Sequence, residues 1–246
     1  AAGDISGVET EDNGEFTTAD TLTSGNPIKG QLSSDTDVDI YSIVTTSTGA
    51  IDIVFDAPID SYNDYFDITL SDGTNVIASQ STGEDTSFSA GVEAGTYYVY
   101  VDSSRYHNDE EYVLTATSAA GDISGVETED NGSISSADTL TSGNPIKGQL
   151  SNSTDVDIYS IVTTSTGTID IAFDAPTDSS YTDYFGIVLS DGVNTLASQE
   201  TGKDTSFSAG VEAGTYYVYV DSPLYYHNDG EYSLTATSAA GDISGV

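Results

Sequence analysis

The sequence predicts an all-β protein of two tandem antiparallel β-sandwich domains. Three observations carry that expectation. First, AAGDISGVETEDNG begins at Ala1 and again at Ala119, and AAGDISGV begins once more at Ala239, a period of 118 and then 120 residues. A period this long is a whole domain, not a solenoid unit. Second, each copy carries seven short segments in which apolar and polar residues alternate. Third, Gly, Asn and Asp punctuate the gaps between them. The domains are expected at residues 1–118 and 119–238, with 239–246 opening a third copy. The chain is therefore expected to be a piece of a longer array.

In the first copy, DIYSIVTT (39–46) alternates, and IDIVF (51–55) places Ile51, Ile53 and Phe55 on one face. YFDITL (65–70) does the same with Phe66, Ile68 and Leu70, and SDG follows as a turn. NVIASQ (75–80), TSFSA (86–90), TYYVYV (96–101) and EYVLTAT (111–117) complete the set. A helical turn is expected near 17–22. Seven such strands in about 110 residues argue for a sandwich. The expected core is Ile43, Ile53, Phe55, Phe66, Ile68, Leu70, Phe88, Tyr97, Val99, Val101, Tyr112 and Leu114. The two extra residues of the second period are loop insertions: SYNDYF becomes SSYTDYF, and SSRYHNDEEY becomes SPLYYHNDGEY. SAAGDISGV (118–126) joins the domains, and such a short, small-residue-rich segment would be flexible on its own.

Forty-one acids face four bases over 246 residues, a formal net charge of −37. Such a chain lacks the cations that nucleic-acid binding needs and is repelled by anionic lipid. No apolar run approaches membrane-span length, so direct membrane insertion is not expected. The 17 Tyr and 7 Phe, placed in alternating patterns, suit a folded core rather than acidic disorder. The charge reads either as a salt-adapted surface or as a surface that binds cations. With no Cys, disulfides and thiol chemistry are excluded.

GVETEDNG stands unchanged at 7–14 and 125–132. Glu9, Glu11 and Asn13, with Glu127, Glu129 and Asn131 in the second copy, place side-chain oxygens at alternate positions before a glycine. Calcium takes about six to eight oxygens in flexible geometry. The pattern echoes the opening of an EF-hand loop, but no helices flank it, and Asp20 and Asp138 stand where that loop ends in Glu. Asp37 and Asp39, with Asp155 and Asp157, are the expected second contributors as the chain enters the first core strand. Asp35 is a weaker candidate because Ser153 replaces it in the second copy. The bland alternative is that these are solvated surface charges.

Strand parity suggests a further acidic pole holding Asp60, Asp64, Glu84, Asp85, Asp102, Asp109 and Glu111, with Asp178, Asp183, Glu200, Asp204, Asp221, Asp229 and Glu231 in the second copy. That pole would face the preceding repeat. In TYYVYV, Tyr98 and Tyr100 should point away from the core, as should Tyr217 and Tyr219. Such pairs suit a peptide or a sugar face, though tyrosine is also simply a good strand former. His107 and His227 are the only imidazoles, one per copy, too few for a zinc site. No G-x-S-x-G elbow is present, and the chain is not expected to be an enzyme.

The order of motifs resembles the bacterial pre-peptidase C-terminal (PPC) domain. Its E-x-E-x-N is met by Glu9, Glu11 and Asn13; its A-x-x-L by Ala19 and Leu22; its G-x-L by Gly30 and Leu32; and its D-x-D-x-Y by Asp37, Asp39 and Tyr41. L-x-D-G at 70–73, GTYYVYV at 95–101 and Y-x-L at 112–114 follow, and the second copy repeats all seven. The resemblance implies a jelly-roll-like sandwich without catalytic activity. Related collagen-binding modules of clostridial collagenases bind calcium through the E-x-E-x-N segment and downstream Asp residues. They also bind through strand tyrosines. Many carry a further Asp after the Asn, where this chain has Gly14 and Gly132.

The tandem arrangement is similar to the extender regions of large RTX-type bacterial adhesins. The reading that follows is a calcium-binding spacer, extracellular, secreted or on a bacterial cell surface, whose partners are neighbouring repeats and whose setting is cell adhesion and biofilm. The alternatives are a module that grips a host protein fibre or polysaccharide through Tyr98 and Tyr100, and an accessory domain beside a protease.

Overall fold

The computed structural model describes residues 7–10, 12–58, 66–103, 109–121, 123–176, 185–223 and 228–241. By compactness the chain divides into Ala1–Ile123 and Ser124–Val246.

The first unit contains β1 (Asp20–Thr21), β2 (Ile28–Gly30), β3 (Asp39–Thr45), β4 (Gly49–Asp56), β5 (Phe66–Ser71), β6 (Val76–Thr82), β7 (Thr86–Val92), β8 (Gly95–Asp102) and β9 (Tyr112–Ala120). One sheet runs β1-β3-β8-β5-β6 and the other β2-β9-β4-β7. Within these sheets β1 pairs parallel with β3, and the other neighbours are antiparallel. The second unit repeats this with β10 (Asp138–Thr139), β11 (Pro145–Gly148), β12 (Val156–Thr163), β13 (Gly167–Asp174), β14 (Phe185–Ser190), β15 (Thr195–Thr201), β16 (Thr205–Val211), β17 (Gly214–Asp221) and β18 (Tyr232–Ala240). Its sheets run β10-β12-β17-β14-β15 and β11-β18-β13-β16. Each unit is the antiparallel sandwich that the alternation predicts.

The alternation becomes burial. On β4, Ile51, Ile53 and Phe55 are buried while Asp52, Val54 and Asp56 are exposed. All twelve expected core residues are buried. Phe55, Phe66 and Tyr112 join the two sheets, with ring centroids 5.0, 5.1 and 5.8 Å apart, and Phe173, Phe185 and Tyr232 repeat the cluster. The SDG turn between β5 and β6 is closed by Asp72, whose Oδ1 accepts the Thr74 and Asn75 amides at 2.7 Å. Gly73 takes φ 89° there, which only glycine adopts cheaply.

Three differences from the sequence reading have simple causes. β1 and β2 are two and three residues long, too short to show a period. The helical turn expected at 17–22 is a single turn closed by the Thr18 amide on the Glu15 carbonyl at 2.9 Å, after which the chain enters β1. The expected flexible link does not begin at residue 118. Ser118, Ala119 and Ala120 complete β9 against Ile51, Ala50 and Gly49. Gly49 is required in that pairing, since a Cβ would strike the Ala119 carbonyl.

The register gathers the ends that matter. Asp39 opposes Val101, Asp56 opposes Val113 and Gly30 opposes Tyr112, so the starts of β3 and β9, the ends of β4 and β8 and the end of β2 lie together. The N-terminal segment joins them through a parallel bridge between Val8 and Lys29, repeated by Val126 and Lys147.

Candidate metal centre

The E-T-E segment is extended. In the second unit the Glu127 amide donates to the Lys147 carbonyl at 2.9 Å, and the Lys147 amide to the Gly125 carbonyl at 3.0 Å. In an extended chain, residues two apart share a face. Glu127 and Glu129 therefore point together, toward the mouth of β12. There Asp157 is sent inward by the same alternation that buries Tyr159 and Ile161.

The side chains meet with little solvent. Glu127 is 2 % exposed, and Asn131 and Asp157 are 0 %. Among the described residues, the acids that converge closely enough to share an ion are Glu127, Glu129 and Asp157, with one oxygen from each within 4.8 Å of the others. Among the described residues, three buried side-chain oxygens accept no hydrogen bond: Oε1 of Glu129, Oδ1 of Asn131 and Oδ1 of Asp157. These belong to the E-x-E-x-N and D-x-D motifs. A buried acceptor without a donor is costly, and three such oxygens, two from carboxylates and one from an amide, form a hole for positive charge.

Beneath the site lies a hydroxyl bridge that the sequence reading missed. Glu127 Oε1 accepts the Gln149 amide at 2.5 Å, and its Oε2 accepts the Tyr159 hydroxyl at 2.8 Å. The Tyr159 and Tyr232 hydroxyls touch at 2.6 Å, and Tyr232 donates to Asp157 Oδ2 at 2.5 Å. The first unit has the same chain: Glu9 accepts from Gln31 N at 2.5 Å and Tyr41 at 2.6 Å, Tyr41 meets Tyr112 at 2.7 Å, and Tyr112 donates to Asp39 at 2.6 Å. Burial raises the Asp39 carboxyl to about 8, with the Tyr112 hydrogen bond opposing the shift and Glu9 adding to it. Gly30 and Gly148 make room for the bridge, because a Cβ at either would land on both tyrosine hydroxyls.

The electrostatics of the second unit point the same way. Burial, then Asp157 and Glu129, pushes Glu127 well above the ordinary carboxylate range. Burial, then Asp155, does the same to Asp157 and raises Glu129 to about 8. A cation would relieve each of them.

The remaining expected ligands are placed differently. Asp155 lies beside the cluster, but its Oδ2 accepts the Ser151 amide and hydroxyl at 2.7 Å, and its Oδ1 accepts the Val156 amide at 2.9 Å. Asp37 likewise closes the turn at Ser33. Both shape the loop. Asn13 and Asp39 are buried in the first unit as their counterparts are, and Asn13 Nδ2 faces Glu9 Oε2 at 3.4 Å. Glu11 lies outside the described residues, as do Asp60, Asp64, Asp178, Asp183, His107 and His227.

The acidic pole is not one cluster among the described residues. Glu111 pairs with Lys29 at 2.5 Å and Glu231 with Lys147 at 2.6 Å. Asp85 and Asp204 accept the Ala57 and Ala175 amides. Asp102 opposes Asp67 across β8 and β5, and burial followed by that neighbour raises its pKa.

Tyr98, Tyr100, Tyr217 and Tyr219 point away from the core, as alternation requires, and are half-buried. In the first unit Phe16 packs edge-on against both rings, at 4.6 and 5.7 Å. Ile134 stands at that place in the second copy.

The donor set is all oxygen, from two or three carboxylates and an amide. Oxygens bound to one calcium lie at most about 5 Å apart, since each bond is about 2.3–2.6 Å. The residues therefore fit a hard divalent cation.

No protein-family model and no curated protein matches the chain. Among solved structures it is similar to the pre-peptidase C-terminal domain of a collagenase from Bacillus anthracis, with 25% identity over 40% of this chain and 94% of that one and a TM-score of 0.35. It is also similar to the tandem CBM51 modules of a family 98 glycoside hydrolase from Streptococcus pneumoniae, at 11% identity over 87% of this chain and 84% of that one, TM-score 0.29. A third is the CUB1-EGF-CUB2 region of human MASP-1/3, at 11% identity over 86% of this chain and 99% of that one, TM-score 0.27.

Proposed function

We propose that the chain is a pair of non-catalytic calcium-binding repeats that serve as extracellular spacers in a bacterial surface adhesin. The observation that carries the calcium reading is the set of three buried oxygens without donors on Glu129, Asn131 and Asp157. Calcium suits them better than magnesium, which demands near-octahedral geometry and keeps its water. Asp157 and Glu129 with Asn131 as ligands, and Glu127 as a ligand anchored from below, would join the N-terminal segment to β12. The segment stands just after the boundary at Ile123 and Ser124. An ion bound there shortens the free chain between repeats and stabilises the folded state by mass action.

The spacer part of the reading is supported by near-identical tandem copies and a net charge of −37, which suits an array in calcium-containing surroundings. The rival reading, a fibre or glycan grip at Tyr98 and Tyr100, ranks second because Phe16 already packs on that pair.

The test is thermal unfolding in calcium, in magnesium and in excess chelator at matched ionic strength, with stoichiometry from calorimetric titration. A calcium-specific rise in Tm with equal ions per repeat is expected. Equal melting in all three would overturn the cation reading and leave salt adaptation as the account of the charge.

A further inference from the structure

We propose that Asp138 with Thr128, and Asp20 with Thr10, form a positioning pair that sets the cation affinity of each repeat without touching the ion. The inference rests on the cation reading above and adds the device that holds its ligands in phase.

Thr128 lies between the two glutamates of E-T-E. Alternation turns it away from them, onto the carboxylate of Asp138. Both of its donors reach that one group: the amide to Oδ2 at 2.8 Å and the hydroxyl to Oδ1 at 2.7 Å. The first repeat does the same, with 2.6 Å from the Thr10 amide and 2.9 Å from its hydroxyl to Asp20. This two-point grip fixes the rotation of the segment, and with it the direction in which Glu127 and Glu129 project. A one-residue slip would turn both acids away from Asp157.

The grip is tied to the rest of the site. Asp138 belongs to β10, which pairs parallel with β12 at Asp138 and Tyr159. The strand that carries Asp157 and the hydroxyl bridge therefore also carries the clamp. Oδ2 of Asp138 further faces Asn131 Nδ2 at 3.5 Å. That contact directs the amide nitrogen to the clamp and leaves Oδ1, one of the three oxygens without a donor, for the ion. With both oxygens of Asp138 engaged by Thr128, it acts through other residues. Its position twelve residues into an EF-hand-like pattern suggests a ligand; its hydrogen bonds make it a positioning residue.

The experiment compares the wild-type two-repeat chain with three paired variants, Thr10→Val with Thr128→Val, Thr10→Ser with Thr128→Ser, and Asp20→Asn with Asp138→Asn. Each is titrated calorimetrically with calcium chloride and melted in calcium and in chelator. The Val and Asn pairs are expected to bind about 10–100-fold more weakly with unchanged stoichiometry, as outer-shell changes do. The Ser pair keeps the hydroxyl and should bind as wild type does. A purely structural role would lower Tm equally in calcium and chelator and leave affinity alone; that result, or a Ser pair as weak as the Val pair, overturns the proposal. Wild-type chain that takes up no calcium overturns the cation reading and this inference with it. Wild-type binding matched by full-affinity variants overturns the positioning role alone.

Discussion

Asp157 and Tyr159 stand two residues apart on β12, so the pleat that buries one buries the other. Tyrosine in that place works as a polar residue. It stretches through the core to hold Glu127, and with Tyr232 it links the two carboxyls of the site. Tyr159→Phe should leave Glu127 Oε2 without its donor and cost about 1–3 kcal/mol, read by urea unfolding in chelator. Gly148→Ala pushes a methyl into the same bridge. Overpacking of this kind costs about 1–3 kcal/mol, and calcium uptake by the second repeat should fall with it. Tyr232 was legible as inward-facing through its counterpart Tyr112 in the expected core; Tyr159 shares the parity of Ile161 on β12 but was not singled out. Their hydroxyl contact was not legible, because it joins residues 73 apart in sequence.

At the scale of elements, the acidic segment depends on neighbours that are themselves short. Two backbone bonds tie it to the three- or four-residue strand β2 or β11, and one carboxylate grips its threonine. The β12–β17 ladder, by contrast, runs for eight residue pairs. Removing the cation should therefore loosen one before the other. Amide exchange at Glu127, Lys147 and Gln149 is expected to rise in chelator while Tyr159 and Val218 stay protected. Uniform loosening would mean that the ion supports the whole sandwich and not this segment.

At the scale of the molecule, the charge of −37 and the buried acids make stability depend on pH in a defined direction. Burial raises Asp39 and Glu129 to about 8 in the folded, cation-free protein, while the unfolded chain ionises them near 4. Between those values the native state binds more protons than the unfolded one. The stabilisation is full below about pH 4 and is lost as pH rises through about 8. Cations compete with those protons, so calcium affinity should rise over the same window. Melting curves in chelator across that range, at about 1 M salt to screen the general charge, should show falling Tm. The same series in calcium should fall less or not at all. The spacer reading adds a separate expectation: small-angle scattering of the two-repeat chain should show a narrower spread of dimensions in calcium than in chelator.

The sequence by itself determined the repeat, the seven longer strands of each unit and a set of candidate site residues, because each is written in the order of residues along the chain: a period, an alternation, a run of acids before Asn and Gly. E-x-E-x-N and D-x-D were legible as oxygen donors for the same reason. Only the tertiary structure decided how those residues divide their work. It turned Asp155 toward Ser151, gave Asp138 to Thr128 and left acceptor oxygens of Glu129, Asn131 and Asp157 without donors. The physical reason is that a carboxylate's role is set by which donors reach it. Those donors come from Thr128 in the N-terminal segment, Gln149 and Ser151 just after β11, Tyr159 on β12 and Tyr232 on β18, brought to one end of the sandwich by pairing between distant parts of the chain.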